Sequence, residues 1–120
     1  MAKILVVDDT PANRVLVEKL LKMAGHTVVV AETGLGAVAA AKEQHPDLVL
    51  LDLGLPDIDG WEALRQIRAS PETGTLRVVA FTAHAMVGDK EKAIAAGFDG
   101  YMSKPIDVGT FVQTVGGFLS

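Results

Sequence analysis

Five short apolar segments recur along this chain, each followed by polar residues and then by a stretch with helical periodicity. The third segment, Leu48 to Leu51, lacks the alternation of a half-exposed strand, which is typical of a strand covered on both faces. We therefore predict a parallel sheet under helices. The predicted strands are Lys3–Val7, Thr27–Ala31, Leu48–Leu51, Leu76–Phe81 and Phe98–Met102.

A helix is predicted after each strand. Thr10 and Pro11 provide a cap and a first-turn proline for the first helix, which ends at Gly25. Gly88 should weaken the fourth helix, and the pair Gly116-Gly117 should fray the last turn of the fifth. The second helix is predicted from the turn Thr33–Gly36 to about Gln44, and the third from about Asp59 to Ala69. The fourth is predicted from about Ala85 to Ala96, and the fifth follows the cap Asp107.

Strands and helices thus alternate with short connections between them. Because crossovers between parallel strands are right-handed, this order predicts an α/β fold, with a doubly wound five-stranded parallel sheet flanked by five helices. We found no repeat or linker, and we expect residues 1–120 to form a single domain.

Composition narrows the function classes. The chain is 49% hydrophobic with few aromatic residues, so the core must be aliphatic. Cysteine is absent, which excludes disulfides, thiol catalysis and cysteine-ligated zinc. A net charge of -4 without basic runs argues against direct nucleic-acid binding. No apolar run approaches the roughly 18 residues of a membrane helix, so we expect a cytoplasmic protein without membrane contact.

Polar residues follow four of the five strands. Asp8-Asp9, Asp52, Thr82 and Lys104 come at or just after the ends of the first, third, fourth and fifth strands. Taken alone, Asp52 could equally cap a loop, but the carboxyl ends of parallel strands share one edge, where ligands collect. Carboxylates packed so closely repel one another unless a cation lies among them. Hard oxygen ligands favour Mg²⁺, with Mn²⁺ as an alternative.

A lysine and a hydroxyl opposite such a metal site suit phosphoryl transfer. Lys104 and Thr82 can donate to phosphoryl oxygens, while Asp52 can attack phosphorus. The sequence therefore predicts an acyl phosphate on Asp52. This group adds charge and acceptor oxygens, which is typical of a switch.

The chain resembles, along essentially its whole length, the receiver domain of two-component response regulators. Four motifs carry the resemblance: Val6–Asp9, Asp47–Gly60, Phe81–Ala83 and Gly100–Pro105. It is most similar to short single-domain regulators of the chemotaxis or cell-cycle kind. The resemblance implies a flavodoxin-like sheet with strand order 2-1-3-4-5.

The resemblance also implies roles for the acidic site. Asp52 would accept the phosphoryl group from a histidine kinase or a histidine phosphotransfer protein. Asp9, Asp52 and the backbone carbonyl of Gly54 would bind Mg²⁺, and Asp8 would help through water. The domain would not be a classical enzyme, because it would catalyse only its own phosphorylation and dephosphorylation.

Further implied residues concern signalling. Thr82 and Lys104 would hold the phosphoryl oxygens, and Thr82 and Tyr101 would move on activation. The face formed by the fourth helix, fifth strand and fifth helix would then bind a downstream effector, with the chain a monomer or weak homodimer. His84 lies at a position that affects phosphate lifetime in the family. We also predict that Arg14 and the start of the first helix dock the phosphodonor.

Three other functions fit parts of the sequence. Gly34-Leu35-Gly36 with Asp52 about 20 residues on resembles a dinucleotide-binding fingerprint, but we interpret these glycines as a tight turn into a helix. A haloacid-dehalogenase-type phosphatase also forms an aspartyl phosphate, but it needs an acid at the position of Gly54. A flavodoxin-like FMN site would not tolerate the charges of Asp8-Asp9.

Overall fold

The computed structural model describes residues 2–83, 88–104 and 106–119. Its elements alternate in chain order. They are β1 (Lys3–Val7), α1 (Pro11–Met23), β2 (Thr27–Ala31), α2 (Gly34–Gln44), β3 (Leu48–Leu51), α3 (Gly60–Ala69), β4 (Arg77–Thr82), α4 (Asp89–Ala96), β5 (Gly100–Ser103) and α5 (Phe111–Leu119).

The strands form one parallel sheet in the order β2-β1-β3-β4-β5, which confirms the predicted topology. The central strand β3 is buried along its whole length. Its register aligns Leu51 with Val7, so β1 and β3 end at the same level, and with Ala80 of β4, which continues two residues further to Thr82. The residues that follow them are therefore brought to one edge of the sheet.

Aliphatic residues cover both faces of the sheet. One core cluster packs α2, α3 and α4 on the sheet, with Leu64 and Ile67 among its members. The other packs α1 and α5, with Leu21 and Phe111. Among the residues that the structure describes, no helix is long and apolar enough to cross a membrane.

Two strands begin later than the sequence pattern predicted. β4 begins at Arg77 and includes Thr82. β5 begins at Gly100, because Phe98 donates its amide to the carbonyl of Ala93 and so belongs to the end of α4. The turn is completed by Gly97, whose φ of 113° favours glycine.

The last two helices also differ from the prediction. α4 begins at Asp89 after Gly88, and the predicted start at Ala85 to Val87 lies outside the described residues. α5 begins at Phe111, because the Asp107 carboxylate accepts from the Gly109 amide and shapes a separate turn first. Gly116-Gly117 remain helical, since α5 continues to Leu119.

Candidate functional site

The site lies at the carboxyl edge of the sheet. Asp8-Asp9 follow β1 and Asp52 follows β3, where the Asp52 amide donates to the carbonyl of Val7 at 3.1 Å. At the other side of the site, the Lys104 amide donates to the carbonyl of Thr82 at 2.9 Å. These backbone contacts extend the strand pairing by one residue and place the side chains that end or follow four strands, β1, β3, β4 and β5, at one edge.

Lys104 joins two of the carboxylates. Its Nζ lies 2.7 Å from Asp8 Oδ2 and 3.1 Å from Asp52 Oδ2, and all three side chains are largely buried. Burial lowers the pKa of Lys104, but the hydrogen bonds and charges of Asp8 and Asp52 outweigh burial and raise it overall. The lysine is therefore held as a cation between the two acids. Its Nζ also lies 5.4 Å from the ring centroid of Phe81.

The acids themselves form a compact group. Asp8, Asp9 and Asp52 each offer a carboxylate oxygen, and these atoms lie within 4.8 Å of one another. Asp8 and Asp52 are buried, whereas Asp9 is exposed at the opening of the site. With Lys104 as the neighbouring cation, the group keeps excess negative charge. A hard divalent cation with water ligands matches this donor set.

Gly54 contacts the phosphoacceptor candidate directly. Its amide donates to Asp52 Oδ1 at 3.1 Å, while Lys104 occupies Oδ2. A Cβ at position 54 would lie 4.0 Å from Asp52 Oδ1. The absence of a side chain therefore reflects an open approach to the carboxylate rather than a steric requirement.

Thr82 is fully buried at the end of β4 and borders a cleft of about 370 Å³. Gly54, Trp61 and Lys92 also line this cleft, which lies between the β3–α3 loop and α4. Sequence reasoning missed Trp61 and Lys92 as cleft residues, because their places depend on how α3 and α4 pack.

Tyr101 is half-buried in β5 beside Ala80. Burial raises the pKa of Tyr101, and the charge of Asp89 at the start of α4 raises it further. The structure thus places Tyr101 near α4 rather than among the acids. His84, which the sequence also singled out, lies outside the described residues.

Arg14 supports the site from inside the protein. Its guanidinium donates to the backbone carbonyl of Asp8 at 2.8 Å and pairs with Glu32 at 3.1 Å. The Arg14 side chain is 15% exposed, so little of it faces a docking partner. We therefore assign Arg14 to holding the β1–α1 loop.

Asp57, in the loop between β3 and α3, binds another part of the chain. Its carboxylate accepts from the amides of Gly34 and Leu35 at 2.7 and 2.9 Å. These are the amides at which the dinucleotide alternative would bind a pyrophosphate, so the structure disfavours that alternative. The glycine at position 34 was the only sequence signal for this contact.

Comparison with known proteins decides the family. Residues 4–116 match the response regulator receiver domain. The chain belongs to this family. Its resemblance to receiver domains is thereby confirmed, and the chain is the receiver domain of a response regulator, consistent with phosphorylation-dependent signalling. Receiver domains are typically not classical enzymes.

Two relatives show the range of proteins that contain such a domain. The polar-differentiation response regulator DivK of Brucella ovis is 35% identical over 116 residues, which are 97% of this chain and 94% of DivK. The sensor protein GacS of Pseudomonas syringae pv. syringae is 41% identical over 94% of this chain, but only 13% of GacS is matched. This receiver domain is thus similar to a whole short regulator and to one segment of a larger sensor.

Solved structures agree with the fold. The receiver domain of a sensor histidine kinase from Pseudomonas aeruginosa has a TM-score of 0.88 and 33% identity, covering 98% of this chain and 97% of that one. That structure has a magnesium ion coordinated in its active-site cleft. A chemotaxis response regulator from Vibrio cholerae reaches a TM-score of 0.91 at 28% identity, with 98% of each chain covered. The flavodoxin-like fold of this receiver domain is confirmed.

Proposed function

We propose that this receiver domain is a phosphorylation-activated switch in which Asp52 accepts a phosphoryl group from a histidine kinase or a histidine phosphotransfer protein. The observation that carries the proposal is the position of Lys104 Nζ, which contacts both Asp8 and Asp52 beside the exposed carboxylate of Asp9. A nucleophile, a fixed cation and an acidic metal-binding group thus share one edge of the sheet. Family membership supports the same chemistry.

The proposed step is a transfer from phosphohistidine to carboxylate. A carboxylate oxygen of Asp52 forms a bond to phosphorus while the N–P bond of the donor breaks, and its electron pair goes to the imidazole nitrogen. Lys104, 3.1 Å from Asp52 Oδ2, is close enough to donate to a phosphoryl oxygen. The Thr82 hydroxyl is the second proposed donor. Hydrolysis of the acyl phosphate later restores the carboxylate.

The donor set fits Mg²⁺. Asp9, Asp52 and the backbone carbonyl of Gly54 would hold the ion, and Asp8 would contribute through water. When bound, Mg²⁺ supplies positive charge that offsets the repulsion between the carboxylates and the phosphoryl oxygens. Mn²⁺ has similar ligand preferences and is the alternative ion.

The proposed output is a change on the face formed by α4, β5 and α5. Thr82 borders the cleft that leads to α4, and Tyr101 lies close enough to Asp89 for the Asp89 charge to raise its pKa. Movement of Thr82 toward a phosphoryl group would alter the packing at this cleft, and Tyr101 would follow. A downstream effector protein would bind the changed face.

Other parts of the proposal concern assembly and partners. We propose a single receiver domain over residues 1–120, as a monomer or weak homodimer, acting in the cytoplasm without direct contact to nucleic acid. The phosphodonor is proposed to dock at the start of α1, where Val15 is 62% exposed. Because Arg14 is held internally, the docking role falls on its exposed neighbours.

The test is phosphorylation in solution. Incubation with acetyl phosphate and Mg²⁺ should add one phosphoryl group, detected by intact-protein mass spectrometry, and the Asp52→Asn variant should remain unlabelled. A phosphorylated histidine phosphotransfer domain, offered instead, should label Asp52 and shift amide resonances of α1. In the labelled protein, amide exchange should change in α4, β5 and α5.

Asp59→Asn is the matched control, since it removes a carboxylate that caps α3 through the Glu62 amide. This variant should still be labelled. Persistent labelling of Asp52→Asn, or unchanged exchange across α4, β5 and α5 in the labelled protein, would contradict the corresponding part of the proposal.

A further inference from the structure

The β3–α3 loop carries Gly54 and connects Asp52 to the start of α3. Its two ends approach each other, because the Gly60 amide donates to the carbonyl of Leu53 at 2.9 Å. A Cβ on Gly60 would lie 2.4 Å from the carbonyl oxygen of Asp52, so the backbones pass very close here. The ends of the loop are fixed, and a separate contact fixes its middle.

That contact is the carboxylate of Asp57. Oδ1 accepts from the amide of Gly34 and Oδ2 from the amide of Leu35, more than twenty residues away in the chain. These amides begin α2, where backbone donors lack partners within the helix and the helix dipole favours negative charge. The Leu35 amide most strongly, and then the Gly34 amide, lowers the pKa of Asp57. The carboxylate thus clamps the loop to α2.

Packing strengthens the clamp beside these hydrogen bonds. A Cβ on Gly34 would lie 2.4 Å from Ile58 Cγ1 and 2.7 Å from the Ile58 carbonyl oxygen. Only a glycine permits this approach without displacing the loop. Ile58 also packs against the core cluster under α2 and α3. The loop is therefore held by polar and apolar contacts at adjacent residues.

We propose that Asp57 is a positioning residue for the metal site, because its clamp on α2 keeps the backbone of Gly54 in place relative to Asp52. The inference rests on the proposed function, in which the Gly54 carbonyl binds Mg²⁺. Mg²⁺ tolerates little departure from octahedral geometry, so its affinity is sensitive to the placement of each ligand. Residues that orient ligands typically change metal affinity by about 10- to 100-fold when they are removed.

A purely structural role would predict a different result. Asp57 could matter only because it caps α2, in which case any loss of a cap at that end should have the same effect. Thr33 provides the comparison, since its side chain caps the same helix through the Gly36 amide. Asp59 provides a second comparison as another exposed carboxylate of the loop, placed on α3 instead of α2.

The experiment measures Mg²⁺ affinity and amide exchange in unphosphorylated protein. Trp61 borders the same cleft as Gly54, so its fluorescence should report Mg²⁺ binding. Asp57→Ala should raise the Kd for Mg²⁺ about 10-fold. In the absence of metal, it should also accelerate hydrogen exchange of the Gly54 amide. Asp57→Asn retains one acceptor oxygen, so its Kd for Mg²⁺ should lie between those of Asp57→Ala and wild type. Thr33→Ala and Asp59→Asn should each keep the Kd within about twofold of wild type.

The outcomes separate this inference from the proposed function. Wild-type protein without Mg²⁺ binding would overturn the proposed metal site and this inference together. This inference alone would be overturned if Asp57→Ala bound Mg²⁺ with the Kd of wild type. It would also be overturned if Thr33→Ala lost as much Mg²⁺ affinity as Asp57→Ala. Circular dichroism checks the fold of each variant, and Asp57→Asn keeps the test decisive if Asp57→Ala does not fold.

Discussion

Lys104 illustrates how one residue connects stability with the site. Its ammonium lies between Asp8 and Asp52, and the lysine side chain is 9% exposed. Removal of one charge from a buried ionic group leaves the remaining charges uncompensated, which destabilises the folded state because these charges are poorly solvated. The lysine therefore stabilises the carboxylates in the protein without metal, in addition to its proposed role toward a phosphoryl group.

Lys104→Met should lower the free energy of unfolding without metal by about 3 kcal/mol, because two carboxylates lose their shared cation. Added Mg²⁺ should reduce this deficit, because the ion should bind the uncompensated carboxylates of the variant more tightly than those of wild type, and a ligand that binds only the folded state stabilises it. Urea denaturation with and without Mg²⁺ measures both effects. Lys92→Met, at an exposed lysine of the neighbouring cleft, should stay within about 0.5 kcal/mol of wild type. A deficit that Mg²⁺ leaves unchanged would contradict the idea that the two cations compensate the same charges.

At the scale of elements, the glycines of the helices differ in what surrounds them. A Cβ on Gly116 or Gly117 of α5 would meet nothing within 4 Å. A Cβ on Gly60, the first residue of α3, would lie 2.4 Å from the Asp52 carbonyl oxygen and 2.7 Å from Leu53 Cα. Glycine is therefore required by close packing at the start of α3, but not by packing in α5.

Gly116→Ala should raise the free energy of unfolding by about 0.5 to 1 kcal/mol, because alanine loses less backbone entropy in a helix. Gly60→Ala should lower it by about 2 kcal/mol, since backbone atoms must move to admit the new methyl group. Urea denaturation of both variants provides the comparison. Equal effects of the two substitutions would show that the close approach at Gly60 does not constrain α3.

The whole molecule is tied together at the end opposite the site by Arg68. Its guanidinium donates to the carbonyls of Gly97, Gly74 and Leu76 and pairs with Asp99 at 2.9 Å. This one side chain thus joins the end of α3 to the start of β4 and the end of α4. Arg65, one turn earlier, instead pairs with Glu62 on the exposed face of α3.

Arg68→Met should lower the free energy of unfolding by about 2 to 3 kcal/mol, because several carbonyls lose a charged donor. Arg65→Met should change it by no more than about 0.5 kcal/mol, as is usual for an exposed ion pair. Thermal denaturation of both variants tests the contrast, and labelling of Asp52 should persist in each. Similar losses in the two variants would mean that the Arg68 contacts contribute no more than surface pairing.

Helical and strand periodicity predicted the elements well wherever an element has its own pattern. The strands β1, β2 and β3 begin and end at the predicted residues, where the apolar segments begin and end. The errors lie at boundaries set by contacts. Phe98 is of a residue type common in strands, but it completes the end of α4. Asp107 is of a residue type common at helix caps, but it forms a turn before α5.

The sequence by itself determined the parallel sheet and the edge at which Asp8, Asp52 and Lys104 meet, because element order and hydrophobic period are local properties of the chain. Only the tertiary structure decided which atoms touch. Lys104 contacts acids 52 and 96 residues away, and Asp57 binds α2 from 22 and 23 residues away. Such contacts depend on how separate elements pack and on the geometry of loops, which no local pattern encodes.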